Sequence, residues 1–130
     1  MEAHFSAPEI TLAVKELTVG KTPGPDGLPV AFYKLFFPQL KDQLLHLFNS
    51  FSQFTGLTPT MSTVEITLIP KPGGDPIRCA AYQPIAILNA DAKLYVKMIA
   101  NCLNPHLPGI IDLDHEGFIQ QRQGSDNICR

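Results

Sequence analysis

Residues 20–29, Gly-Lys-Thr-Pro-Gly-Pro-Asp-Gly-Leu-Pro, constrain this chain more than any other stretch. Three prolines fix φ and remove backbone donors, while three glycines open the left-handed region. Neither a helix nor a strand can run through such a segment. It has to be an ordered turn between two separate elements, unlike a flexible Gly/Ser linker.

Both flanks carry helical signals. Ser6-Ala7-Pro8-Glu9 has the spacing of a capping box, and Ile10, Val14 and Leu17 follow at helical intervals. The pattern predicts a helix over 7–18, with Gly20 as terminator. From Val30 to Phe54 a second helical stripe runs through Phe32 or Tyr33, Phe36 or Phe37, Leu40, Leu44, Leu47, Phe48 and Phe51. Pro38 should kink or split it.

Beyond the break at Gly56-Leu57-Thr58-Pro59 the period changes. Thr63-Val64-Glu65-Ile66-Thr67-Leu68-Ile69 alternates apolar and polar residues, which predicts a half-buried strand. Pro70 to Pro76 then turns the chain, and the apolar run Ile85-Ala86-Ile87-Leu88 returns it, giving a hairpin over 63–88. Residues 90–103 predict a helix with Leu94, Met98, Ile99 and Leu103 inward and Lys93 and Lys97 at the surface; Pro105 and Pro108 should end it. In the tail, Gly117-Phe118-Ile119 is the clearest apolar kernel. The expected class is therefore α+β, mostly helical with a β-hairpin.

Composition bounds the function. A chain of 130 residues with 45% apolar and 17% charged residues can bury a core. Its net charge of −2 lacks the basic excess by which self-sufficient nucleic-acid binders neutralise phosphate. Any such contact must fall to a few local Lys and Arg or to other parts of a larger protein. Cys79, Cys102 and Cys129 are odd in number and far apart, which favours reduced, intracellular thiols. No run approaches the roughly 18 apolar residues that span a bilayer. The start, Met-Glu-Ala-His-Phe, lacks the character of a secretory leader, so the expected location is cytoplasmic or nuclear and no membrane partner is expected.

Several short motifs imitate sites. Gly20-Lys21-Thr22 looks like the end of a phosphate-binding loop, but Lys15 stands where that loop needs Gly, and Pro23 follows. Asp112-x-Asp114-x-Glu116 imitates half a calcium loop, with Gln123 where the bidentate Glu should be. His4, His46, His106 and His115 are scattered without ligand spacing, and Asp26 sits where Asp commonly bonds its own turn.

Four blocks, in order, carry a resemblance. Gly20-Lys21-Thr22-Pro23-Gly24-Pro25-Asp26-Gly27, with Phe32-Tyr33-Lys34 shortly after, resembles the G-K-S-P-G-P-D-G…F-Y-K block of LINE-type (non-long-terminal-repeat) retrotransposon reverse transcriptases. Leu68 to Pro76 is similar to that family's L-I-P-K-P-G-K-D-P. Tyr82 to Asn89 is similar to Y-R-P-I-S-L-L-N, with Asp91 and Lys93 also in register. Gly117-Phe118-Ile119-Gln120-Gln121-Arg122, then Asp126-Asn127-Ile128, resembles G-F-I-K-G-R…D-N-I.

The resemblance implies a partial right-hand polymerase within residues 1–130: an N-terminal helix at 1–19, a Pro-Gly loop and helical extension at 20–62, and fingers with the start of the palm at 63–130. It implies a parent activity of RNA-directed DNA synthesis, with an RNA template, a DNA primer and deoxynucleoside triphosphates as partners and two divalent metal ions, Mg, as cofactors. It places Lys71, Gly73, Gln83 and Arg122 among nucleotide- or template-binding positions, and residues 20, 21 and 23–27 in a structural motif. For Lys71 and the Pro72-Gly73-Gly74 turn, simple hairpin closure is the competing reading.

There are departures. Gln83 replaces the family's Arg and cannot offer its charged fork to a phosphate. Gln121 replaces the Gly before Arg122, and His115 stands at or near a family Gln. The family's metal-binding aspartates come after the D-N-I block, and this sequence has no adjacent Asp pair. The expectation is a fragment that is inactive alone and binds no metal, with weak or no nucleic-acid binding. A retained RNA- or partner-binding module is the alternative. Gly117–Ile119 and the strand at 63–69 should leave apolar surface without a partner, an aggregation hazard.

Overall fold

A computed structural model describes residues 4–51 and 56–112. The element order is α1 (Ala7–Glu16), α2 (Val30–Leu35), α3 (Phe37–Ser50), α4 (Pro59–Ser62), β1 (Val64–Pro70), β2 (Tyr82–Leu88), α5 (Ala90–Leu103) and α6 (Leu107–Ile110). The class is α+β, as the periodicities predict, with helices packed together and one antiparallel hairpin.

Helix α1 begins where the sequence places it. The Glu9 carboxylate accepts from the Ser6 amide at 2.7 Å and from the Ser6 hydroxyl. The helix stops at Glu16, two residues earlier than predicted, because Leu17 is already extended; Gly20 lies further on with φ +77. Pro38 splits the second helical stretch. It stands in the first turn of α3, where a missing N–H costs nothing, and Phe36 closes α2. Of the paired alternatives, Tyr33 is buried and Phe36 is exposed, which leaves Phe37 as the residue packed on the core.

The core is wholly helical. Ile10, Ala13 and Val14 of α1 pack between α3, through Leu44 and Phe48, and α5, through Leu94 and Met98. Phe5, Phe48, Phe51 and Tyr95 form an edge-rich aromatic group with centroids 5.2–6.2 Å apart. Met61 enters this core from α4, a turn-length helix capped by Thr58 that starts at the end of the predicted break at 56–59. Leu103, expected inward, is 50% exposed, since it lies in the last turn of α5, beyond the face that meets α1. Helix α5 ends at Leu103, ahead of Pro105, as predicted, and Pro108 then occupies the first turn of the separate α6.

β1 and β2 pair from Val64↔Leu88 to Pro70↔Tyr82. The expectation of a half-buried strand is overturned: every residue of β1 is exposed, Ile66 at 65% and Leu68 at 60%. The alternation is real, but the hairpin meets the core at its base, through Leu88 of β2, and β1 stays exposed along its whole length. Pro84 is tolerated because both strands are edges.

Asn89 ties the Pro-Gly loop to this framework. Gly27 N–H donates to the Gly24 carbonyl at 2.9 Å, closing a turn, and Leu28 N–H donates to Asp26 Oδ1 at 3.0 Å. Behind the turn lies Asn89, 2% exposed, which joins β2 to α5. Its Oδ1 accepts from the Asp26 amide at 3.2 Å, and its Nδ2 donates to the Thr60 carbonyl at 2.8 Å. A Cβ at Gly24 would lie 2.5 Å from the Asn89 backbone nitrogen and 2.6 Å from its Cα. On the far side, Lys34 Nζ donates to the Lys15 carbonyl at 2.9 Å, tying α2 to the end of α1.

Two acidic groups accompany this junction. Burial, and then the nearby Asp26, raise the Asp91 carboxyl above its ordinary value, against a bond from the Ala92 amide. Burial, with Asp91 and Asp26 adding to it, pushes the Tyr33 hydroxyl up to about 12.

Two outcomes follow. Gly24→Ala should lower unfolding stability by about 1–3 kcal/mol by overpacking against Asn89, read from urea denaturation. Gly27→Ala, with open space but φ +74, should cost about 1 kcal/mol through backbone strain alone. Equal midpoints for the two variants would contradict the contact. Tyr33 holds its proton more tightly folded than unfolded, so its contribution is complete below about pH 10 and is lost as pH rises toward about 12. The parent chain should therefore lose melting temperature relative to Tyr33→Phe as pH rises through that window. A constant difference would refute it.

Candidate functional site

A concavity of about 730 Å³ lies between the hairpin and the Pro-Gly loop. Its construction follows from strand alternation. Glu65, Thr67 and Ile69 share one face of β1 and, by register, stand beside Ile87, Ile85 and Gln83 of β2. The isoleucines of this face supply an apolar floor. Leu17 and Val30, which bracket the loop, form the opposite wall.

The rim carries charge. Lys21 and Thr22 come from the loop and Lys93 from the second turn of α5. Lys93 Nζ donates to the Thr22 carbonyl at 3.3 Å, so the ammonium is steered to the loop side of the cleft. Glu65 is the acidic side chain among the lining residues. An apolar floor between two ammonium groups can accept a polyanion whose phosphates meet the lysines while its less polar parts lie against aliphatic side chains.

The residues singled out by sequence do not all gather there. Lys21 lines the cleft, whereas Pro23, Gly24, Pro25, Asp26 and Gly27 shape and anchor the loop that carries it. Lys71 stands at the other end of the hairpin: its amide donates to Ala81 at 2.7 Å and its Nζ to the Ala80 carbonyl at 3.0 Å. Gly73, with φ +72, turns this connection, and the Gly74 amide returns to the Lys71 carbonyl at 3.1 Å. Gln83 is exposed opposite Ile69, outside the cleft lining. Lys71, Gly73 and Gln83 thus group toward the hairpin tip. Arg122 lies outside the described residues, as do His115, Cys129, the Gly117–Ile119 kernel and most of the acidic loop.

Sequence reading missed Asn89 as the anchor. Asn directly before a helix suggests an N-cap, but its side chain is diverted to the Asp26 amide and the Thr60 carbonyl. Burial of an Asn among apolar residues is a tertiary fact without a local signal. Among the described residues no three His, Cys, Asp or Glu side chains come together to hold a metal ion. No helix of the described residues is long and apolar enough to cross a membrane.

Comparison with known proteins follows the same direction as the motifs. No family profile matches the chain. It is 24% identical over 128 residues to an uncharacterized 149 kDa protein of transposon TX1 from Xenopus laevis, covering 98% of this chain and 10% of that protein. It is 30% identical over 96 residues to a probable RNA-directed DNA polymerase from transposon BS of Drosophila melanogaster, covering 74% of this chain and 11% of the relative. The chain spans about a tenth of the length of these curated relatives. Together the similarities support a relation to the RNA-directed DNA polymerases of retrotransposons.

Proposed function

We propose that these residues are the fingers, with the start of the palm, of a LINE-type retrotransposon RNA-directed DNA polymerase, and that the cleft beside the Pro-Gly loop contacts nucleic acid. One observation carries the reading. Two blocks that resemble that family, the Gly20–Gly27 turn and the Tyr82–Asn89 stretch, meet at one concavity rimmed by Lys21 and Lys93, and a third, the Leu68–Pro76 stretch, reaches it through Ile69. The similarity to transposon proteins over nearly the whole chain supports it independently.

The part assigned to these residues is binding and positioning. Lys21 and Lys93 take backbone phosphates, and the isoleucine floor holds the strand away from bulk water. The hairpin tip, with Lys71 at its base, reaches toward the triphosphate in this reading. Magnesium belongs to the implied parent chemistry, but the described residues do not bring together a ligand set that fits it, and no chemical step is assigned to them. The expected behaviour of the 130 residues is binding without synthesis. The same behaviour would suit a retained RNA-binding module, which the cleft alone also favours.

The test is fluorescence anisotropy with single-stranded RNA across a salt series, using the parent chain, Lys21→Ala, Lys93→Ala and Glu65→Gln. A net charge of −2 makes the affinity low at physiological salt. Each lysine variant should weaken binding across sequences alike and reduce the salt slope by about 0.7, while Glu65→Gln should strengthen binding. Lysine variants that bind as the parent does would remove the cleft from the proposal. Primer extension by the 130-residue chain with magnesium, template and nucleotides would refute the non-catalytic part.

A further inference from the structure

The cleft-facing side of the hairpin is divided along its length. By register Glu65 and Thr67 of β1 stand beside Ile87 and Ile85 of β2, so one strand presents oxygen-bearing side chains and the other a row of isoleucines. Both rows line the cleft. They lie about 4.8 Å apart, the ordinary spacing of paired strands. Every residue of β1 is exposed, so the Glu65 carboxylate stands open to whatever enters the cleft.

A carboxylate in a cleft with two ammonium groups has an obvious use as their counter-ion. Glu65 is not used that way. Lys93 turns its ammonium to the Thr22 carbonyl, and among the described residues the Glu65 carboxylate has neither an ion-pair nor a hydrogen-bond partner. Facing a polyanion, an unpaired carboxylate repels phosphate and weakens the binding of any strand that brings it no donor. Base amino groups are such donors and, in RNA alone, so is the 2′-hydroxyl. The layout of the cleft selects between them. With phosphates at Lys21 and Lys93 and the flat faces of the bases against the isoleucines, the part of each nucleotide left for the β1 row is the sugar that joins the two.

We infer that Glu65 is the residue by which the cleft distinguishes ribose from deoxyribose: its carboxylate accepts a hydrogen bond from a 2′-hydroxyl of a bound RNA strand, whereas DNA meets the same carboxylate with no donor at that position. The inference rests on the reading of this cleft as a nucleic-acid site. A hydrogen bond to a charged acceptor is among the stronger ones, and the repulsion left uncompensated against DNA adds to the difference.

Fluorescence anisotropy at low salt tests it with three strands of uracil bases alone, which carry no amino group: oligouridine RNA, its deoxy counterpart and its 2′-O-methyl counterpart. The parent chain should hold the RNA about five- to tenfold more tightly than the deoxy strand. The 2′-O-methyl strand keeps the oxygen and loses the donor, so it should bind no better than the deoxy strand. Glu65→Gln keeps a carbonyl acceptor and removes the charge; it should tighten both strands and still prefer RNA. Glu65→Val suits a strand but has no acceptor, and should bind RNA and the deoxy strand alike. Should Glu65→Val disturb the hairpin, the 2′-O-methyl strand reads the same contact on the parent chain. Lys21→Ala and Lys93→Ala should weaken RNA and the deoxy strand in equal proportion. Three results would overturn the inference while the lysine variants still support the cleft: no preference in the parent chain, a preference that survives Glu65→Val, or 2′-O-methyl RNA held as tightly as RNA. Lysine variants that bind as the parent does remove the cleft, and this inference with it.

Discussion

The contact between Gly24 and Asn89 organises the rest of the molecule. Asn89 ends the hairpin and begins α5, so its position is shared by the sheet and by the longest helix of the α1–α5 pairing. Its amide side chain is buried and bonded at both ends, accepting from the loop and donating to α4. A buried amide left unpaired costs about 1–3 kcal/mol, which makes this bridge an all-or-none arrangement. Gly24 is the residue that lets the loop come close enough to complete it, since any side chain there would overlap Asn89 backbone atoms. The loop in turn carries Lys21 and Thr22, so the cleft inherits its width from a contact made outside it.

The hairpin divides the surface into two chemically different sides. Because side chains alternate, seven paired positions sort themselves into a mixed face, with Glu65 and Thr67 among isoleucines, and a face without charge. The mixed face closes the cleft against the loop. On the uncharged face Leu88 packs on the helical core, while Ile66 and Leu68 are exposed. The buried core beneath is formed by the helices, with Leu88 at the base of the hairpin packed against it.

Much of the architecture is legible from residue order. The capping box placed α1, Pro38 marked the division between α2 and α3, and the change of period at Thr63 located the strands. The misreadings share one cause. Alternation in β1 predicted a buried face, and the helical spacing of Leu103 predicted an inward side chain; each pattern describes an element's potential for burial and not whether another element arrives to bury it. Met61 shows the converse, a residue with no predicted element of its own that a short helix delivers into the core.

The candidate site divides in the same way. Residue order alone settled that 20–29 is a turn, that a hairpin follows, and that the blocks carrying the family resemblance lie around both, because proline, glycine and period-two alternation act through local sterics. Only the tertiary structure decided that Lys21 and Lys93, far apart in the chain, face one cleft while Lys71 and Gln83 group near the hairpin tip. It also decided that the Pro-Gly turn is a fixed wall. That outcome rests on Asn89, whose burial is a property of the packed chain and of no local pattern.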